Sequence, residues 1–165
     1  MTQITPIAIT ILHHPEGFLF IRRKKAPYEN LWALVGGKIA MGEHIPSAAE
    51  REVMEETCSQ SIRDYRLHAI VSERLIDASG LLSGHFLMFL GSAEILDFKD
   101  VNREGDLAIF TREAVQEQSA EFLPSDLEMF QRFAVCKDKA IEYHEAELVF
   151  TGDGYDLNYY RDDIV

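Results

Sequence analysis

The sequence predicts an α/β fold in which a mixed sheet lies between helices, and three observations lead to this prediction. Short apolar stretches separated by turn residues recur along the chain, as expected of strands. One helical pattern follows a pair of glycines, and another lies near the end of the chain. The length of 165 residues, 47% of them hydrophobic, suits one domain with a core. We therefore expect a single domain over residues 1–165.

The first predicted elements lead up to the pair of glycines. Residues 7–13 are rich in Ile and residues 18–23 form a second strand pattern, so the turn over residues 14–17 should join them as a hairpin. A short buried strand over residues 31–35 then runs into the glycines. A helix follows, since Pro46 suits a first helical turn and an apolar stripe continues after it.

The second half of the chain adds strands and two helices. Strands are predicted at three stretches, residues 65–76, 85–94 and 107–110. Thr111 has the side chain of an N-cap, which predicts a helix over residues 112–118. Ser125 and Glu128 form a capping-box signature for a helix over about residues 126–138.

A β-hairpin is predicted at the C-terminus. Residues 141–150 and 155–161 are strand-like and flank the turn sequence Thr-Gly-Asp-Gly. We expect the hairpin, residues 140–161, to extend the single domain. Its apolar residues make it a candidate homodimer interface.

Composition and charge restrict the class of partner. A net charge of −12 repels duplex nucleic acid and acidic membranes, so neither is expected to bind. Cys58 and Cys136 form no CxxC motif, which fits a reduced, cytoplasmic protein. The chain has no apolar run of membrane-spanning length, and its start does not resemble a signal peptide.

The most informative stretch runs from Gly36 to Thr57. Its glycines allow a tight turn or close approach of the backbone to a ligand. Glu52, Glu55 and Glu56 are three and four positions apart, so they project from one face of the predicted helix. Such close carboxylates favour a bound cation, and oxygen ligands on adjacent turns suit Mg²⁺ or Mn²⁺. The alternative is a solvated acidic helix face.

Other charged or aromatic residues are candidates for supporting this site. Glu43 and Arg51 have opposite charges and are expected to pair across the loop before the helix, fixing its shape. The candidate substrate-binding residues are Arg22, Arg23, Trp32 and Lys38. One of the two arginines suits a phosphate, the alternative being a solvated strand end. The Trp suits the core or a pocket wall, with stacking on a base as the alternative.

The spacing resembles the signature of the Nudix hydrolase superfamily. That signature has a Gly, five residues, a Glu, seven residues, and then Arg-Glu-apolar-x-Glu-Glu-x-Gly-apolar. The residues in register are Gly37, Glu43, Arg51, Glu52, Val53, Glu55 and Glu56. The resemblance is strong over residues 36–57 and weaker in the flanking strands.

Two positions depart from the signature. Cys58 stands where the late Gly is expected, and Ser59 replaces the following apolar residue. The Gly of the signature ends the helix in a left-handed backbone conformation. A residue other than Gly adopts that conformation at a cost of roughly 1–2 kcal/mol. We therefore expect the helix to end differently here.

The resemblance implies an α/β/α sandwich and Mg²⁺- or Mn²⁺-dependent hydrolysis of a pyrophosphate bond. The implied substrate is a nucleoside di- or triphosphate or a nucleoside diphosphate derivative. Glu52 and Glu56 are the implied principal metal ligands, with Glu55 a third or water-mediated one and the Gly37 carbonyl an additional one. The general base stays open between Glu55, Glu56 and Glu104, an acid outside the motif.

Two other classes of protein are alternatives. A non-catalytic nucleotide-binding sensor on the same fold would explain the departures at Cys58 and Ser59, although such a module need not keep all three glutamates. An acidic interaction domain with a chance motif match is the third hypothesis. Oxidised nucleoside triphosphates, ADP-ribose-like dinucleotides and nucleotide sugars all stay open as substrates.

Overall fold

The computed structural model describes residues 3–25, 28–99, 105–135 and 140–162. Within these residues the chain forms nine strands, three α-helices and one turn of 3₁₀-helix at Ser119–Glu121. The strands are β1 (Thr5–His14), β2 (Gly17–Arg23), β3 (Trp32–Ala33), β4 (Val35–Lys38), β5 (Arg63–Ile76), β6 (Leu82–Glu94), β7 (Gly105–Phe110), β8 (Glu142–Phe150) and β9 (Tyr155–Asp162). The helices are α1 (Ile45–Thr57), α2 (Arg112–Glu117) and α3 (Pro124–Phe133).

The nine strands of the described residues form one mixed sheet. Along its main path they are ordered β3-β2-β1-β6-β5-β8-β9, while β4 pairs with β1 and β7 pairs with β2. β1 is parallel to β6 and antiparallel to β2 and β4. β5 is antiparallel to β6 and parallel to β8. The predicted mixed sheet is therefore confirmed.

Alternate residues of β1 point to opposite faces of the sheet, and a helix covers each face. Ala8 packs against Ala48 and Ala49 of α1. Ile9 and Ile11 belong to a larger cluster that includes residues of α3. The Phe residues of that cluster are Phe20, Phe110, Phe122, Phe130 and Phe133. This succession of helix, sheet and helix confirms the predicted α/β/α sandwich.

Most predicted elements occur at the predicted positions. β1 and β2 form the predicted hairpin. β5, β6 and β7 each begin two or three residues before the predicted start. The N-cap of α2 is Thr111, whose Oγ1 accepts a hydrogen bond from the Ala114 N–H at 3.2 Å. The turn between β8 and β9 closes with a bond of 3.0 Å from the Thr151 N–H to the Gly154 carbonyl.

One predicted strand is divided in two. Residues 31–35 contribute to both β3 and β4, with Leu34 between them. β3 pairs with β2 whereas β4 pairs with β1, so the chain changes its partner strand at Leu34. The Leu34 N–H donates a hydrogen bond of 2.8 Å to Oδ2 of Asp126 on α3. This side chain takes the place of a strand partner and makes the break possible.

The start of α3 differs from the prediction. The helix begins at Pro124, and its N-cap, Leu123, makes no side-chain capping bond, so the predicted capping box of Ser125 and Glu128 is wrong. Pro suits the first turn because its fixed φ is helical and no N–H is needed there. The last predicted residues, 136–138, lie outside the described residues.

No helix in the described part of the chain is long and apolar enough to cross a bilayer.

The C-terminal hairpin is continuous with the sheet. β8 runs beside β5 from the Ala69–Glu142 pair to the Ile76–Val149 pair. Ala146 and Leu148 of β8 are fully buried. The hairpin is therefore packed into the domain core as well as hydrogen-bonded to it.

Candidate active site

The packing of α1 on the sheet sets the direction of its acidic face. The helix follows an extended N-cap, His44, and carries a Pro in its first turn. Ala48, Ala49 and Val53 are buried and form its inner face. Their small volume lets the helix lie close to β1 and β4. The glutamates beside this face are thereby held next to β4.

Gly36 and Gly37 allow β4 to approach its neighbours closely. In the register of β1 and β4, Gly36 lies opposite Ile9 and Gly37 opposite Ala8. A Cβ on Gly36 would overlap the Ala8 carbonyl oxygen and lie 2.7 Å from the Cα of Ile9. A Cβ on Gly37 would overlap the carboxylate of Glu52. The close pairing of β4 with β1 therefore requires Gly36, and the close approach of α1, called the acidic helix below, requires Gly37.

Glu52 and Glu56, on consecutive turns of α1, both reach β4, which carries Gly36 and Gly37 and is called the glycine strand below. Oε2 of Glu56 accepts a hydrogen bond of 3.1 Å from the Gly36 N–H, and the residue is 8% exposed. The carboxylate of Glu52 lies against Gly37, and its side chain is 14% exposed. The side chain of Glu55 is 61% exposed. The structure thus brings two of the three glutamates together at β4 and leaves the third largely in solvent.

Arg51 connects the loop, the strand and the acidic face. Its Nε and Nη2 donate to the two carboxylate oxygens of Glu43, each at 2.8 Å. Nη1 donates to Oε1 of Glu52 at 2.5 Å, and Nη2 donates to the Lys38 carbonyl at 3.0 Å. The hydrogen bonds from Arg51, with one from the Ala40 N–H, lower the pKa of Glu43 to about 2. The predicted pair is present, and it also holds Glu52.

The acidic site fits a divalent cation in its donor chemistry. The described residues contain no group of three or more His, Cys, Asp and Glu side chains arranged to hold a metal by themselves. Mg²⁺ does not require such a group, because it is commonly held by one or two carboxylates with water and substrate phosphates. Glu52 and Glu56 supply two carboxylates beside the backbone of Gly37. They match this mode of binding.

A small cavity of about 70 Å³ adjoins the site, and Gly36 is part of its wall. Arg23, Tyr28, Glu73 and Asp126 are its polar members. The two acids are 2% and 4% exposed, respectively. Burial raises the pKa of Glu73 to about 8 and that of Asp126 to about 7. Two acids with raised pKa values in one cavity mark it as a second candidate for function.

The four candidate substrate-binding residues occupy different surroundings. Arg22 is exposed, donates through Nε to the Asn30 carbonyl at 3.1 Å, and lies over Trp32 at 5.7 Å from the ring centroid. The Trp side chain belongs to the main core cluster. Arg23 lines the cavity, and Lys38 is exposed at the end of β4. Arg23 and Lys38 are therefore the two that flank the glycines.

Glu104, the candidate base from outside the motif, lies outside the described residues. Gly105, which follows it, begins β7 and pairs with Arg23 of β2. The described chain thus resumes next to one of the cavity residues.

The end of α1 corrects one expectation. Cys58 adopts the left-handed conformation, with φ 56° and ψ 21°, and its N–H donates to the Met54 carbonyl at 3.0 Å. The helix therefore ends as a glycine would end it, and the expectation of a different ending is wrong. The Ser59 N–H donates to Thr57 Oγ1, and its Oγ donates to Asp97, each at 3.1 Å. These bonds offset a strain of roughly 1–2 kcal/mol.

Fold and site together define a class of α/β enzyme in which an acidic helix faces a glycine strand. The family model of the NUDIX domain matches residues 3–133, from β1 to the end of α3. The chain belongs to the NUDIX domain family, which confirms the resemblance found in the sequence. It is a Nudix-type pyrophosphohydrolase. No curated protein matches the chain.

Solved structures show the same fold at low sequence identity. A mutator MutT protein from Bacillus halodurans matches with a TM-score of 0.75 and 22% identity over 97% of this chain and 98% of that one. A NUDIX hydrolase from Nitrosomonas europaea matches with a TM-score of 0.65 and 19% identity over 80% of this chain and 89% of that one. The NUDIX domain of Shewanella oneidensis NrtR, solved with ADP ribose, matches with a TM-score of 0.65 and 16% identity over 80% of this chain and 87% of that one.

The sequence prediction does not include the buried acids of the cavity, although a signal for each is present. Glu73 occupies an inward position of β5 between the buried residues Val71 and Leu75. Asp126 lies four residues before the buried Phe130, on the apolar stripe of α3. An acid in an apolar register is therefore the pattern that indicates this site.

Proposed function

We propose that this protein is a Mg²⁺- or Mn²⁺-dependent hydrolase of a pyrophosphate bond in a nucleoside di- or triphosphate or a nucleoside diphosphate derivative. One observation carries the proposal: Glu52 and Glu56 approach the glycine strand from consecutive turns of α1. A backbone without side chains beside two carboxylates gives a metal ion and a phosphate group room to bind together.

The proposed metal ligands are those that the family resemblance implies, and the described ones lie around β4. Glu52 and Glu56 are the principal ligands, and the Gly37 carbonyl is an additional one. Glu55 is a third ligand that acts through water, in keeping with its 61% exposure. A cation held by these residues would supply Lewis-acid chemistry, offsetting the negative charge of the phosphates and lowering the pKa of a bound water.

Arg51 and Glu43 act by positioning. Arg51 donates to Glu52 while both of its other donor sites engage Glu43. Because Arg51 lowers the pKa of Glu43 to about 2, the pair stays charged throughout the neutral range. This ion pair fixes the loop before α1 and the rotamer of Glu52 with it.

Three glutamates are proposed as candidates for the general base. A base needs hydrogen-bond reach to the attacking water, directly or through one more water molecule. Glu56 is held at β4 by its bond to Gly36, and Glu55 faces solvent beside it. Glu104, which directly precedes Gly105 in the sequence, is the candidate from outside the motif. Comparison of the pH profiles of Glu55→Gln and Glu104→Gln assigns the role.

The substrate-binding residues are proposed from their positions relative to the glycine strand, β4. Arg23 lines the cavity that Gly36 shares, and Lys38 ends β4, so both suit contacts with the phosphate chain. Arg22 is exposed and lies over the buried Trp32, so we propose Arg22 as the outer part of the same surface and Trp32 as the wall beneath it.

A nucleotide panel tests the function. The ADP ribose bound by the NrtR domain supports including nucleoside diphosphate derivatives beside nucleoside triphosphates and nucleotide sugars. We expect turnover of at least one class with Mg²⁺ or Mn²⁺, and none after chelation; the products identify the bond that is cleaved. Glu52→Gln should be inactive, whereas Glu50→Gln, an exposed residue of the same helix, should be active. Binding of a nucleotide with metal but without cleavage would instead indicate a sensor module.

A further inference from the structure

Tyr155, the first residue of β9, reaches Tyr28 in the connection between β2 and β3. Its Oη accepts a hydrogen bond of 3.1 Å from the Tyr28 N–H. The two rings also meet edge to face, with centroids 4.9 Å apart and planes at 61°. The family model ends at residue 133, so this contact joins the C-terminal hairpin to the region that the family model matches.

The backbone of Tyr28 requires support from its surroundings. Its φ is 72°, a value that residues other than Gly seldom adopt. A residue keeps such a conformation where the structure around it holds it there. Tyr155 supplies both an acceptor for the Tyr28 N–H and an aromatic surface for its ring. The hairpin therefore stabilises the conformation of Tyr28.

The side chain of Tyr28 extends this contact to the cavity beside Gly36. Tyr28 lines that cavity together with Arg23 and Glu73. Burial, and then the nearby Glu73, raises the pKa of the Tyr28 hydroxyl, which therefore stays protonated and donates a hydrogen bond. Burial also raises the pKa of Glu73 to about 8, and hydrogen bonds from Ser125 and Tyr28 partly oppose that rise. Tyr28 thus connects the hairpin to a buried group in the wall of the cavity.

The same connection holds Arg23, for which contacts with the phosphate chain are proposed above. The Arg23 N–H donates to the Leu31 carbonyl at 3.2 Å, and the Asn30 N–H donates to the Arg23 carbonyl at 2.9 Å. The Leu31 N–H in turn donates to the Tyr28 carbonyl at 3.4 Å. A shift of Tyr28 is therefore passed on to the segment with which Arg23 pairs.

We propose that Tyr155 is a positioning residue for substrate binding, because it holds Tyr28 and the adjoining Arg23 in the wall of the substrate site. The inference rests on the proposed function, because it concerns binding to the same site. The proposed metal ligands lie on α1 and β4, whereas Tyr155 acts on the connection between β2 and β3. Loss of the Tyr155 hydroxyl should therefore weaken substrate binding and leave the chemical step unchanged.

Tyr155→Phe tests this role because it removes the hydroxyl and keeps the ring contacts with Tyr28 and Phe150. The probe is AMP with Mg²⁺, since AMP has no pyrophosphate bond to cleave. We expect its Kd, measured by calorimetry, to rise about 5-fold, the effect of one hydrogen bond of ordinary strength. The KM of a hydrolysed nucleotide should rise by a similar factor, with kcat as in the wild type. Amide hydrogen exchange at Tyr28 should become faster.

A second substitution shows whether Tyr155 acts through Tyr28. Tyr28→Gly removes the side chain from the cavity wall, and Gly adopts a φ of 72° without support. In that background, adding Tyr155→Phe should change the Kd of AMP by less than 2-fold, because coupled residues have non-additive effects. Tyr143→Phe, an exposed Tyr of the same hairpin, is the matched control and should keep the wild-type Kd. Thermal melting shows that each variant is folded.

The outcomes separate this proposal from the hydrolase proposal. A wild-type protein that binds AMP but cleaves no nucleotide would remove the hydrolase function, and the change in Kd would still decide the role of Tyr155. An unchanged Kd in Tyr155→Phe, or an equal increase in the Tyr28→Gly background, would overturn the positioning role. A fall in kcat at unchanged Kd, or no binding of AMP to the wild type at millimolar concentration, would overturn it as well.

Discussion

The Gly36 N–H donates a hydrogen bond of 3.1 Å to Oε2 of Glu56, which attaches the acidic helix to the glycine strand. The bond positions a carboxylate that is 8% exposed. It also leaves the charge of that carboxylate available to a cation, because a second oxygen lies on the same group. The hydrogen bond from Gly36 therefore holds the Glu56 side chain in place whether or not that side chain is charged.

Glu56→Gln should consequently retain the fold and lose activity. The amide oxygen of Gln can still accept the Gly36 N–H, but the charge that the metal requires is removed. We expect kcat to fall by about 100-fold or more, a typical effect of deleting one preorganised electrostatic group. Steady-state kinetics and thermal melting measure the two effects, with exposed Glu50→Gln as the matched control. Normal turnover in the Glu56 variant would remove its proposed role in metal binding.

The two adjacent glycines should respond differently to alanine. In Gly36→Ala the new Cβ meets backbone atoms of Ala8 and Ile9, which cannot easily move, so the free energy of unfolding should fall by about 1–3 kcal/mol. In Gly37→Ala the new Cβ meets the flexible end of Glu52, which can rotate away. This variant should melt nearly as the wild type does but lose turnover. Urea unfolding and kinetics on both variants check the contrast, and the reverse pattern would contradict it.

Cys58→Gly should stabilise the protein. Cys58 has a φ of 56°, a conformation that Gly adopts without the Cβ strain of other residues. The free energy of unfolding should rise by about 1 kcal/mol in urea titrations. Cys58→Ala is the control, since it removes the thiol but keeps the Cβ and should change stability little. Equal effects of Gly and Ala would show that the thiol, rather than the backbone conformation, is responsible.

The acidic helix could be predicted from sequence because its information is local. The spacing of Glu52 and Glu56 puts them on one helix face, and the two glycines precede them within the same stretch. The ion pair of Glu43 and Arg51 is likewise formed between residues close in sequence. Local periodicity and charge are sufficient to predict contacts of this kind.

The cavity could not be predicted in the same way, because its residues come from distant parts of the chain. Glu73 meets Asp126 only through the order of the strands and the packing of α3. The break at Leu34 also depends on Asp126, which replaces a strand partner of its backbone N–H. The Ser125 capping box failed for a different, local reason, since the neighbouring Pro124 starts the helix and Ser125 is buried inside it.

Stability should decrease as pH rises, because Glu73 and Asp126 have raised pKa values. Burial raises these to about 8 and about 7, so the folded state holds protons that the unfolded state releases from its ordinary pKa near 4. The contribution is fully present below that ordinary pKa and is lost as pH rises through the folded values. Between about pH 5 and about pH 9 the loss should reach a few kcal/mol, at about 1.4 kcal/mol per pKa unit.

Glu73→Gln provides the comparison that isolates this effect. The neutral side chain removes one of the two titrating groups, so urea unfolding free energies should fall less with pH than in the wild type. Glu94→Gln, an exposed acid, should keep the wild-type slope. Identical slopes for wild type and Glu73→Gln would show that the acid is already ionised in the folded protein.

Removal of the C-terminal hairpin should unfold the whole domain. The family model ends at residue 133, but β8 pairs with β5 from Ala69 to Ile76 and contributes the fully buried Ala146 and Leu148. A chain ending at residue 140 would expose one edge of β5 and part of the core, with a loss of several kcal/mol out of a typical total of about 5–15. We expect no cooperative urea transition by Trp fluorescence or circular dichroism. A chain ending at residue 162 is the control and should unfold as the full chain does. A cooperative transition in the shorter chain, reported by Trp32 from outside the hairpin, would show instead that the hairpin is a separate appendage and that residues 1–165 are not one folding unit.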